Sequence, residues 1–119
     1  MATLEAGDRA DVSRAEAIAR LNDQLRKTRS GGALIITQAL ESVSGFDLEV
    51  LASALADYDQ FGPDNDPHGE RDFGSLSLWG SNLLWKIDYY DLSLLGGSDD
   101  PADPEKTRRV LTVMLASDW

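Results

Sequence analysis

The chain has 119 residues, with 21 aspartates and glutamates against 11 lysines and arginines, a net charge of −10 and no cysteine. That length gives one domain with a modest core, and the lack of cysteine excludes a disulfide framework and a thiolate zinc site and fits a reducing compartment. An apolar fraction of 42% with three tryptophans places the chain among globular proteins, and no apolar run approaches the roughly 20 residues of a membrane span.

The charge is unevenly spread. Residues 1–37 carry five acids and six bases, residues 38–105 carry fifteen acids against Arg71 and Lys86 alone, and residues 106–119 return to a net +2. Such a middle segment repels nucleic acid and anionic membrane and favours basic protein surfaces or cations.

Residues 1–12 lack a basic region followed by an apolar run, so a flexible leader on a cytoplasmic protein is expected, followed by a single domain over 13–119. Ser13 and Glu16 have the spacing of a capping box, which predicts a helix from there to about Arg29. Its apolar stripe of Ile18, Leu21 and Leu25 is narrow, and Arg26, Lys27 and Arg29 read as cations complementing the end of the helix dipole. Gly31 and Gly32 stop it, and Ala33 to Thr37 read as a short strand. A helical or turn segment around Gln38 to Val43 follows. Gly45 breaks the chain, and Asp47 caps a second amphipathic helix with Leu48, Leu51, Leu55 and Tyr58 on one face.

The stretch from Phe61 to Asp91 is the most unusual. Asp64, Asp66, His68, Glu70 and Asp72 stand at alternate positions, but Pro67 and Gly69 argue for a shaped loop rather than a strand. Phe73 to Tyr90 read as a hairpin turning at or beside Gly80 and Ser81. In its second strand, Leu83, Trp85, Ile87 and Tyr89 form a core face, while Leu84, Lys86, Asp88 and Tyr90 form the other. Residues 92–103 form a loop carrying Asp99, Asp100 and Asp103. Asp103, Pro104 and Glu105 then have the signals of a helix start, which predicts a final helix presenting Val110, Leu111, Met114 and Leu115, with Arg108 and Arg109 free to pair with acidic loops and Trp119 anchoring the terminus. The expected fold is α+β, a small, mainly antiparallel sheet of one strand plus a hairpin, packed with about three helices.

Three chemistries fit these residues. The loop parallels a calcium loop, with acids at positions one and three and Gly69 at position six, but His68 replaces an oxygen ligand, Pro67 stiffens position four and Ser75 stands where a closing glutamate belongs. A divalent cation on Asp64, Asp66, Glu70 and Asp72 is the metal reading, against turns in which Asp64, Asn65 and Asp66 bond nearby amides. The catalytic reading is a small metal-dependent or acid–base hydrolase with His68, Glu70, Asp72, Lys86 and Asp88 around one pocket that also takes in Asp66. The third is binding through charge. Carboxylates spread over a surface, here Asp64, Asp66, Glu70, Asp72, Asp91, Asp99 and Asp100 with Tyr90 as an aromatic anchor, match a basic channel built for the regularly spaced phosphates of duplex DNA.

Residues Asn65 to Gly74 (NDPHGERDFG), Trp85 to Asp91 (WKIDYYD), and Asp100 to Pro104 ahead of Arg109 to Thr112 carry a resemblance over about residue 20 to the end. The chain resembles an uncharacterised family of short bacterial proteins, mostly from alphaproteobacteria and often encoded on plasmids, phages and integrated elements. In that family a histidine is usual where this sequence has Arg71, a departure that counts against an essential histidine there, and hence against a shared metal or acid–base site using it. The resemblance implies a context in which small acidic proteins inhibit host defence nucleases, including restriction and CRISPR systems, by protein binding or DNA mimicry. The expectation is therefore a non-enzymatic inhibitor that binds a basic partner, such as the nucleic-acid channel of a nuclease complex, and makes no direct contact with nucleic acid or membrane. The hydrolase is the alternative, and a regulatory or stress module with a merely structural loop is the third reading.

Overall fold

The last strand, β4 (Arg108–Leu115), organises the sheet. It pairs in parallel with β1 (Ala33–Ile36) and antiparallel with β3 (Ser81–Tyr90), and β3 pairs with β2 (Phe73–Leu78), giving the order β1-β4-β3-β2. This computed structural model describes residues 6–119, with side chains from Ser13 onward. The architecture is α+β with a mostly antiparallel sheet, as expected from the sequence.

One expected element is overturned. The segment after Asp103 is a strand and not a helix. Asp103 Oδ1 accepts from the Glu105 amide at 2.9 Å, so the helix-start signal is spent on a turn. Beyond it, Arg109, Leu111 and Val113 alternate inward with 2%, 0% and 0% exposure, the period of a strand. Val110, Thr112 and Val113 are β-branched and suit a pleated surface better than a helix.

The first helix, α1 (Ala6–Thr28), starts seven residues before Ser13, so Ser13 and Glu16 lie inside it and form no capping box. Of the leader expected over 1–12, residues 1–5 lie outside the described residues and 6–12 belong to α1. The helix ends in a left-handed Arg29 at φ 63°, whose amide bonds Leu25 O at 2.8 Å. A single helical turn, α2 (Gln38–Glu41), follows β1. In α3 (Leu48–Asp57), the Asp47 carboxylate accepts from the amides of Glu49 and Val50, as its position at the cap requires. Leu51, Leu55 and Tyr58 are buried as predicted, whereas Leu48 is exposed.

The hairpin closes at Trp79 and Gly80, both with positive φ, the backbone twist that two-residue hairpins favour. Trp79 adopts it while packing on Phe46 with ring centroids 5.3 Å apart. The helices cover one face of the sheet. Leu25, Leu40, Leu51, Leu55, Leu83, Trp85, Leu111 and Val113 are essentially inaccessible there. The β3 faces fall as the sequence predicts, with Lys86, Asp88 and Tyr90 on the side away from the helices. Trp119 is 69% exposed and touches the domain edge-on at Phe73, with centroids 5.5 Å apart.

Candidate functional site

Between α1 and the sheet lies a polar cluster that sequence reasoning missed. Asn22 is fully buried, and Arg26 and Arg109 are 3% and 2% exposed. The Asn22 amide donates to Tyr89 Oη at 2.8 Å and to the Glu70 carbonyl at 3.0 Å, and its Oδ1 accepts from Arg109 Nε at 2.9 Å. Tyr89 Oη in turn donates to Glu70 Oε1 at 2.8 Å. Arg109 also donates to the Pro101 carbonyl and lies over the Tyr89 ring. Burial holds the Tyr89 phenol well above its usual pKa, so it stays a neutral donor. The guanidinium of Arg109 is lowered by burial, opposed by Tyr89 and Glu70.

A second knot ties the loop to the helix. Arg71 donates from Nε and Nη2 to both oxygens of Asp23, the shortest contact being 2.8 Å, and lies 3.6 Å from Glu16. That hydrogen bonding raises the Arg71 pKa. Asp23 also accepts from Arg26 at 3.2 Å. Arg26 stacks over Phe61 and Trp85, with its pKa lowered by burial against the pull of Asp23. Arg26 therefore belongs to the core and is not simply a helix-terminal charge; its Nε and Nη1 have no hydrogen-bond partner among the described residues. A hint was present in the spacing of Ile18, Asn22, Leu25 and Arg26, which completes the narrow apolar stripe with two polar residues.

The acidic loop is shaped by its own side chains. Asn65 Oδ1 accepts from the Gly62 amide at 2.9 Å, its Nδ2 donates to Gln60 O at 2.8 Å, and Asp66 Oδ1 accepts from the Arg71 amide at 2.9 Å. Arg71 and Gly69 both sit at positive φ, 53° and 72°. Asp64, Pro67 and His68 are exposed, and Asp72 is half-buried, its pKa raised by burial and then by Glu70 and Asp66, with His68 opposing. Among the described residues no three acidic or histidine side chains come together as a group that could hold a metal ion.

The candidate catalytic set does not share one pocket. Glu70 meets Tyr89 on the helix side, and the Asp72 carbonyl receives the amide of the inward-facing Ile87. Lys86 and Asp88 pair at 2.9 Å on the other face of the sheet. The remaining charge-binding candidates lie beyond the hairpin. Asp91 accepts from Ser93 Oγ at 2.6 Å and from the Leu95 amide, which lowers its pKa. Asp99 is exposed, and Asp100 pairs with Arg14 at 3.4 Å. Arg108, expected to be free for acidic loops, donates to the Leu92 carbonyl at 2.9 Å, and Arg109 is interior.

Residues 36–118 match DUF3768, described as a protein of unknown function. The chain belongs to this family, which has no assigned activity; the match takes in the acidic loop, the hairpin and β4, and begins after most of β1. No curated protein and no solved structure matches the chain. Among the described residues no helix is long and apolar enough to cross a membrane.

Proposed function

We propose that this chain is a small, acidic, non-enzymatic binding protein that occupies the basic surface of a nucleic-acid-handling partner, as an inhibitor of a host defence system of the anti-CRISPR or antirestriction type, with DNA mimicry as its mode. One observation carries the reading. Of the fifteen acids between residues 38 and 105, only Asp88 and Asp100 have a cationic partner among the described residues. The two bases of that segment are already engaged, Arg71 on Asp23 and Lys86 on Asp88. Asp57, Asp59, Asp64 and Asp99, all exposed, thus carry a negative field with no cationic partner among the described residues. The separation of Glu70 from Lys86 and Asp88 across the sheet supports the binding reading over the hydrolase alternative.

The test is capture from nuclease-treated lysate of the cognate host. The parent should retain a basic nucleic-acid-binding protein at low salt, release it at high salt, and lose it to added duplex DNA. The variant Asp57→Asn/Asp59→Asn/Asp64→Asn/Asp99→Asn, whose changes are all on the surface, should retain little. Equal capture by the variant, or capture indifferent to salt and to DNA, would reject the reading.

A further inference from the structure

The face of the sheet turned away from the helices carries a groove. Its floor is Ile35 and Val110 and its wall is Leu94, with Ile35 and Leu94 50% and 55% exposed. Two adjoining hollows of about 520 and 550 Å³ share these three residues. Lys86 and Asp88 pair with each other there, which leaves the exposed Arg108 as the charge of the groove, a positive balance on a chain of net −10, since Arg109 turns its guanidinium into the interior. The reason is topological. Parallel pairing of β1 with β4 sets Ala33 beside Val110, so the basic end of α1, with exposed Arg29, and the basic run Lys106 to Arg109 meet at one end of the sheet.

Alongside the groove runs an open strand edge. Thr37 donates its amide to Val113 O, and backbone direction alternates along a strand, so the amides and carbonyls of Leu34 and Ile36 point away from β4. Nothing pairs with that side of β1 among the described residues. A peptide backbone laid along this edge could use the unpaired groups of Leu34 and Ile36.

We propose that β1 and this groove take an extended acidic peptide of a partner protein, which adds as a strand to the β1 edge, seats an apolar side chain on Ile35, Val110 and Leu94, and sets its carboxylates against Arg108 and Arg29. None of Asp57, Asp59, Asp64 and Asp99 lines this groove, so one chain would join a basic partner and an acidic one.

The probe is a fluorescent peptide alternating aspartate with valine, read by anisotropy against the full chain. Saturable binding is expected, weakened about tenfold or more by Ile35→Lys and by Arg108→Glu, and absent for a lysine–valine counterpart. Of two peptides N-methylated at alternate amides, one in each register, the one whose methyl groups face β1 should fail and the other should bind, a readout that needs no protein variant. No saturable binding overturns the proposal, as does binding unchanged in both variants. Equal binding of the N-methylated peptides would reject strand addition. Concentration-dependent dimerisation abolished by Ile35→Lys would assign the face to a second copy of the chain instead.

Discussion

The hydroxyl of Tyr89 donates to Glu70 Oε1 at 2.8 Å, joining the centre of the sheet to the loop that carries the acidic motif. The same oxygen accepts from Asn22, so one phenol connects strand, loop and helix. A buried donor and acceptor that lose a shared partner each bear a desolvation cost. Tyr89→Phe is therefore expected to lower unfolding stability by about 1–3 kcal/mol. Tyr90→Phe, whose hydroxyl on the opposite face has no hydrogen-bond partner among the described residues, should stay within about 0.5 kcal/mol of the parent. Urea denaturation of both variants checks this, and equal effects would contradict the face assignment.

Asp23 is shared by two arginines, one half-buried and one interior. Arg71→Ala removes a bidentate partner but leaves Asp23 with Arg26. Asp23→Ala leaves Arg26 buried beneath Phe61 and Trp85 with no counterion. Breaking a buried pair from one side costs about 3–5 kcal/mol, so Asp23→Ala should approach that range and exceed Arg71→Ala. The two losses should also be less than additive when combined, because both act through one carboxylate. Chemical denaturation of the single and double variants measures the coupling.

Asp72 sets a pH dependence. Burial, then Glu70, raises its pKa above the unfolded value. A raised carboxyl contributes stability that is fully present below the unfolded pKa and is lost as pH rises through the folded one. Its contribution therefore runs from favourable in acid to absent at neutral pH, and Asp72→Asn should remove that slope. The variant is expected to melt above the parent at pH 7, with the gap closing as pH falls through the carboxylate range. A constant gap across this range would assign the effect to something other than titration.

Local signals carried much of the fold into the sequence. Asp47 sits where a cap must, and the alternation of Leu83, Trp85, Ile87 and Tyr89 separates the two faces of β3 without reference to anything distant. β4 misled because Asp103, Pro104 and Glu105 satisfy a helix-start rule locally, while Val110, Leu111, Met114 and Leu115 also fall at helical spacing; pairing with both β1 and β3 decides the outcome, and pairing is not a local property. The buried cluster was less legible still. Asn22, Arg26 and Arg109 are polar residues that sequence reading places in water, and each enters the core only because a partner more than 30 residues away meets it there. Asn65 and Asp66, by contrast, bond the nearby amides that a turn reading assigns them.

Gly74 offers a test of packing against the backbone. A Cβ there would stand 2.5 Å from Tyr58 Cζ and 2.6 Å from Trp85 Nε1, both in buried rings. Those rings are held edge to face, with centroids 5.3 Å apart, and Phe61 packs on both, so neither can retreat without moving the other. Overpacking of this kind costs about 1–3 kcal/mol. Gly74→Ala should fall in that range by thermal or urea denaturation and shift the tryptophan fluorescence as Trp85 is displaced. Gly62→Ala is the matched control, since nothing lies within 4 Å of a Cβ built there. That substitution should be neutral or slightly stabilising through the unfolded state. If Gly74→Ala proved equally harmless, the close approach of β2 to the Tyr58–Trp85 pair would not be what fixes the hairpin against α3.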